Sequence, residues 1–182
     1  MYTYNAALAV VSMTLFGGGV GFAEESASYG FGRPATVAEV QAWDIDIGPT
    51  GSGLPPGRGT VPQGAITYAG KCASCHGATG IEGPQTQLIG GQGSLATDHP
   101  VKTIGSFWPY ATILYDYIRR AMPWNAPQSL TPDEVYAVVA WLLYQNGIIP
   151  ADMIIDAQTL PAVKMPNRGG FVSDPRPDVP SR

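Results

Sequence analysis

Both cysteines of this 182-residue chain fall in one six-residue stretch, Lys71-Cys72-Ala73-Ser74-Cys75-His76. Two thiols separated by two residues, with a histidine directly after the second, form the attachment signature of a c-type haem. The thiols add across the two vinyl groups of a porphyrin, and one helical turn matches the separation of those vinyls. His76 then falls beneath the ring, where an imidazole nitrogen can serve as the proximal iron ligand. Rival chemistries fit the same residues less well. A dithiol redox pair belongs in a βαβ setting, which nothing before Cys72 provides. A structural zinc site needs four ligands, and the chain offers only Cys72, Cys75, His76 and His99. A plain disulfide leaves His76 without a purpose.

A haem with one histidine also needs a second axial group or an open face. Met122 lies 46 residues beyond His76, in Ala121-Met122-Pro123-Trp124. Pro123 fixes the backbone at the point where a loop would offer sulfur to iron. Met165 repeats the Met-Pro pair but comes later, and His99 in a glycine-rich loop would make a bis-histidine haem, so both stay open as alternatives. A filled sixth position leaves no place for substrate or dioxygen, and the chemistry becomes one-electron transfer. Trp108, Tyr110, Trp124, Arg119 and Arg120 are candidates for the haem wall or its propionates. With two histidines and no carboxylate pair or Ser/His/Asp set, acid–base catalysis has few players. The chain reads as an electron-transfer component rather than a catalyst in itself.

These residues must be positioned by helices. Pro62 to Cys72 reads as a helix whose Gly64, Tyr68 and Cys72 lie four apart on one face. The strongest helix runs from Thr131 to Asn146. Thr131 and Glu134 have capping-box spacing, Pro132 sits at the first position, and Gly147 follows its end. Val135, Val138, Trp141 and Leu142 give it a broad apolar face, and Gly64 would let it pass close to the haem-bearing helix. A third helix is expected from about Pro109 to Ala121, stopping at Pro123. Thr36 and Glu39 cap a short one ending near Trp43, and another is expected at 151–157, where Met153 would have a packing role. Residues 77–108 are glycine-rich and irregular.

Residues Met1 to Ala23 hold no charged side chain and close on Gly21-Phe22-Ala23, the small-residue pattern of an export signal cut before Glu24. An uncleaved membrane anchor is the alternative. Export to the periplasm agrees with the haem motif. All ten Lys and Arg and all fourteen Asp and Glu follow this segment, a net charge of −4 that argues against a nucleic-acid partner. Charged residues are only 13% of the chain, beside 23 Gly and 17 Pro, so long stretches must be turns and extended arms. The resulting division is 1–23 signal, 24–60 N-terminal arm, 61–149 monohaem domain, and 150–182 C-terminal extension.

The series Gly64, Tyr68, Cys72 to His76, Met122-Pro123, Leu130-Thr131-Pro132-Asp133-Glu134-Val135 and Ala140-Trp141-Leu142 resembles the class I cytochrome c fold. That implies an all-α domain with crossing terminal helices around one covalent haem c. The resemblance extends into the arms. Gly32-Arg33-Pro34-Ala35-Thr36, Trp43-Asp44-Ile45-Asp46, Gly53-Leu54-Pro55-Pro56-Gly57, Thr103 to Thr112, Asp116 to Pro123 and Met165-Pro166-Asn167-Arg168 are similar to the cytochrome c subunits of bacterial sulfur oxidation. The resemblance implies a periplasmic hetero-oligomer with a molybdenum-dependent sulfite or sulfane dehydrogenase, passing electrons to a downstream cytochrome. A diheme member of that family carries a second haem domain, whereas this chain has one Cys-x-x-Cys-His. Two other readings remain: a free-standing shuttle to a terminal oxidase or photosynthetic reaction centre, and a haem enzyme or gas sensor with open iron.

Overall fold

A computed structural model describes residues 31–174 and 176 of the chain. The segment expected to direct export, Met1 to Ala23, lies outside the described residues. Among those described, no helix is long and apolar enough to cross a membrane.

The order of elements is α1 (Val37–Trp43), β1 (Arg58–Gly59), α2 (Val61–Lys71), α3 (Ala73–His76), α4 (Ala111–Ala121), α5 (Pro132–Gln145) and β2 (Ile155–Asp156), with 3-10 turns at Ser94–Ala96 and Leu160–Ala162. Three helices begin at capping boxes: Thr36 with Glu39, Thr60 with Gln63, and Thr131 with Glu134. In each, the threonine oxygen accepts a third-residue amide while the third side chain reaches back to the cap amide, so two orphan donors are satisfied at once. At α5, the Glu134 carboxylate accepts from the Thr131 amide at 2.7 Å. These bonds hold the Glu134 pKa below its ordinary value. Thr131→Ala is expected to lower unfolding stability by about 1 kcal/mol. Because the folded-state pKa is depressed, the Glu134 share is present above the unfolded carboxylate range and fades as pH falls through the folded value. Thermal melts of wild type, Thr131→Ala and Glu134→Gln from neutral to acid pH check both points, with Glu134→Gln expected to flatten the acid limb.

The core is built on α5, in which every residue from Val135 to Leu143 is buried. A helix apolar on all sides must be covered on all sides, and the covering is divided among α2, α4, the β1/β2 pair and the loops. Tyr68 of α2 stacks on Trp141 with ring centroids 3.9 Å apart. Tyr115 of α4 tilts against Tyr136 at 4.4 Å. On the remaining side, β1 and β2 pair antiparallel, Arg58 opposite Asp156 and Gly59 opposite Ile155.

Two expectations change. Residues 151–157 are not a helix: after a turn they form β2. The Asp156 side chain accepts from the amides of Gln158 and Thr159, and the Thr159 hydroxyl donates to the carbonyl of Ile154. Such local side-chain bonds offer the backbone an alternative to helix, and Met153 has no helical packing role. The segment expected as an N-terminal arm is also more than an arm from residue 45 onward. Ile47 is buried, the Tyr136 hydroxyl donates to Pro55 at 2.8 Å, and Arg58–Gly59 is a strand.

Candidate haem-binding site

Cys72 ends α2, and Ala73 to His76 form the single turn α3, so the two thiols and the imidazole come from one short corner. The corner is held from three directions. The Tyr68 hydroxyl, anchored by its ring on Trp141, donates to the Gly77 carbonyl at 2.9 Å. The Gln85 amide donates to the Cys75 carbonyl at 2.9 Å. The His76 Nδ1 lies 2.9 Å from the Thr86 carbonyl. A carbonyl only accepts, so Nδ1 carries the proton and Nε2 keeps a free lone pair, the tautomer an iron ligand requires.

The thiols lie in different surroundings: Cys72 half-buried, Cys75 exposed, neither in a disulfide. Burial, with a smaller contribution from Cys75, pushes the Cys72 thiol up to about 11. Reactive redox cysteines have depressed values instead, so Cys72 is not itself an activated thiolate. Among the described residues, no three His, Cys, Asp or Glu side chains gather into a metal-holding group, and the zinc ligand set considered from sequence does not assemble.

The remaining candidates separate clearly. Met122 caps α4, its amide donating to the Ile118 carbonyl at 3.0 Å. It is half-buried and packed on the core edge, as are Cys72, Ala73, Leu88 and Trp108. Met165 is 3% exposed inside the core, and His99 is exposed in its loop. The proposed propionate and wall residues mostly have other partners. Arg119 donates to the Ile45 carbonyl, Arg120 pairs with Asp116, Tyr110 lies under the Arg168 guanidinium, and Trp124 stands in solvent. Only Trp108, edge-on to Tyr117, stays beside the half-buried rim.

Sequence reasoning treated Asn146 only as the end of a helix. It is a buried staple: Oδ1 accepts from the Gly90 amide, and Nδ2 donates to the carbonyls of Leu88 and Leu142. Its backbone carbonyl takes a bond from Gln92. The glycine-rich segment 88–93 is thus fastened to α5. An asparagine directly before Gly147 at a helix end was the available signal.

Comparison with known proteins agrees with this geometry. A family model described as cytochrome c oxidase, cbb3-type, subunit III matches residues 59–142. A chain in the crystal structure of the sulfane dehydrogenase SoxCD from Paracoccus pantotrophus is 44% identical, with a TM-score of 0.75, over 83% of this chain and 75% of that one. No curated protein matches. The all-α fold around α2 and α5 is that of the class I cytochromes c, and the chain belongs to the c-type cytochromes. Within them it resembles the cytochrome component of a sulfane dehydrogenase.

Proposed function

We propose that this chain carries one haem c, bound through Cys72 and Cys75 with His76 and Met122 as axial ligands, and transfers single electrons in the periplasm. The bound haem would supply a one-electron couple, its potential raised by a thioether ligand relative to a second imidazole. The chain's own residues supply the rest. Tyr68, Gln85 and Thr86 fix the attachment corner, the Thr86 carbonyl sets the His76 tautomer, and α4 presents Met122. The observation that carries the reading is the His76–Thr86 bond beside two unpaired thiols on one turn. Two thiols, an imidazole with a free nitrogen and a half-buried thioether fit the donor set of a covalent His/Met haem. Mass spectrometry of the exported, purified protein is expected to show cleavage before Glu24 and one haem retained after denaturation. Haem lost on denaturation would refute covalent attachment.

The reading extends to a partner: the electron donor is the molybdenum-containing subunit of a sulfite or sulfane dehydrogenase, and the acceptor a second cytochrome. Two observations support it. The similarity to the SoxCD chain covers 83% of this one, well beyond residues 59–142. In addition, α1 buries none of its residues, and Phe31, Val37, Val40 and Trp43 stand in solvent, Trp43 at 87%. An apolar helix face uncovered in the single chain is a docking element, and a free shuttle has no use for it. The double variant Val40→Asp, Trp43→Ser is expected to leave haem content and melting temperature unchanged. Its association with the dehydrogenase subunit should weaken about 30-fold or more, as for an aromatic hot spot. Pull-down of the co-expressed subunits measures this. A wild-type chain that elutes alone would favour the free-standing shuttle.

A further inference from the structure

The arm that precedes the haem domain is fastened to α4 by a regular pattern. Thr112, Asp116 and Arg119 lie along one face of α4, at spacings of four and three. Each takes one backbone group of the stretch 45–49, which forms neither helix nor strand. The Thr112 hydroxyl donates to the Pro49 carbonyl at 3.2 Å. Asp116 Oδ1 accepts the Ile47 amide at 3.0 Å. Arg119 Nη1 donates to the Ile45 carbonyl at 3.1 Å. Every second residue from Ile45 to Pro49 thus meets a successive turn of α4, the two running in opposite directions. Ile47 is buried at the middle rung, and Asp116 is 6% exposed. The same carboxylate also binds Arg120, with Nε 2.9 Å from Oδ1 and a second bond from Nη2 to Oδ2.

The strap matters because of where α4 ends. Arg119 and Arg120 belong to its final turn, and Ala121 and Met122 follow. Tyr110 offers no side-chain cap at the other end, so the cap does not set the helix's rotation and height. Beyond Met122 the chain runs through Pro123 and Pro127 without regular structure as far as Thr131. The three rungs thus add to the core packing of Leu114, Tyr115 and Ile118 in holding the last turn against rotation about its axis. We propose that they position Met122 for the iron, with Asp116 as the central positioning residue. This inference rests on the reading of Met122 as the sixth ligand. Both axial donors would be neutral, and a thioether binds oxidised iron more weakly than an imidazole does, so a small freedom in α4 would show first at Met122.

The test uses exogenous imidazole, which binds oxidised haem only when the sixth ligand leaves. Asp116→Ala is expected to bind imidazole about tenfold more tightly than wild type, the size of one lost hydrogen bond to a charged group. The weak sulfur-to-iron charge-transfer band should diminish with it. Asp116→Asn, which keeps an oxygen for the Ile47 amide, is expected to recover most of the wild-type behaviour. Thr112→Val and Arg119→Gln each remove an outer rung and should move imidazole affinity the same way by less. They decide the matter if Asp116→Ala does not fold. Lower melting temperatures with unchanged imidazole affinity and band intensity across the set would overturn the proposal and leave the strap purely structural. The underlying reading fails differently: wild type would then lack the band, and Met122→Ala would bind imidazole no better than wild type.

Discussion

Met122→Ala is expected to yield a folded protein that keeps its covalent haem but loses the sulfur-to-iron band in the oxidised state. It should also gain carbon monoxide binding in the reduced state and have a lower reduction potential. The argument begins with the donor: a thioether favours the reduced iron, and removing it opens the sixth position. Folding survives because Met122 is only half-buried, so truncation should cost about 1–2 kcal/mol, below the range for a fully buried methionine. Two companion variants make the result specific. Met165→Ala removes a side chain packed inside the core and should cost about 2–5 kcal/mol while leaving the band intact. His99→Ala changes an exposed loop residue and should alter neither stability nor spectrum. A band that disappears with Met165 or a spectrum that changes with His99 would reassign the ligand. A wild type that lacks the band and binds carbon monoxide readily would point to a haem enzyme or sensor.

The parts of this molecule that were legible in its sequence are those set by local rules. Capping boxes at Thr36 and Thr131 are short-range hydrogen-bond arrangements, so α1 and α5 could be placed within a residue or two. The helix end carrying Cys72, Cys75 and His76 was legible because the three residues are contiguous within one turn. What could not be read depends on contacts between distant residues. Nothing local in Asp44-Ile45-Asp46-Ile47 says that the amide of Ile47 belongs to Asp116, 69 residues later. Nor does Arg58-Gly59 announce a strand whose partner begins nearly a hundred residues on. The first holds two Asp and the second a Gly, residues that locally mean turn, and their partners come from distant parts of the chain. Arg119 and Arg120, candidates for the haem propionates on sequence alone, also bond the Ile45 carbonyl and the Asp116 carboxylate, contacts that no local pattern announces.

The strongest test of the fold compares two glycines on one helix. In α2, a Cβ on Gly64 would lie 1.9 Å from the Ala137 carbonyl oxygen and 2.6 Å from its carbon. Those are backbone atoms in the middle of α5, and they cannot move aside as a side chain would. Gly59 approaches the same residue from the β1 side, where a Cβ would sit 2.0 Å from the Ala137 nitrogen. The backbone of α5 is thus met by two glycines at Ala137. Gly64→Ala is expected to cost about 3 kcal/mol or more, the upper end for overpacking, out of a total of about 5–15 kcal/mol for an ordinary domain. The damage would not stay at the crossing. Pushing α2 off α5 separates Tyr68 from Trp141 and withdraws the hydroxyl that holds Gly77, so the yield of haem-loaded protein should fall with stability. Gly70→Ala is the control, since a Cβ there meets nothing within 4 Å. In that position alanine should stabilise by about 0.5–1 kcal/mol, through helix propensity and a less flexible unfolded chain. The same change six residues apart on one helix therefore carries opposite signs, readable as opposite shifts in melting temperature. If both variants melted alike, helix propensity alone would account for α2, and Gly64 would have no part in holding the haem corner against α5.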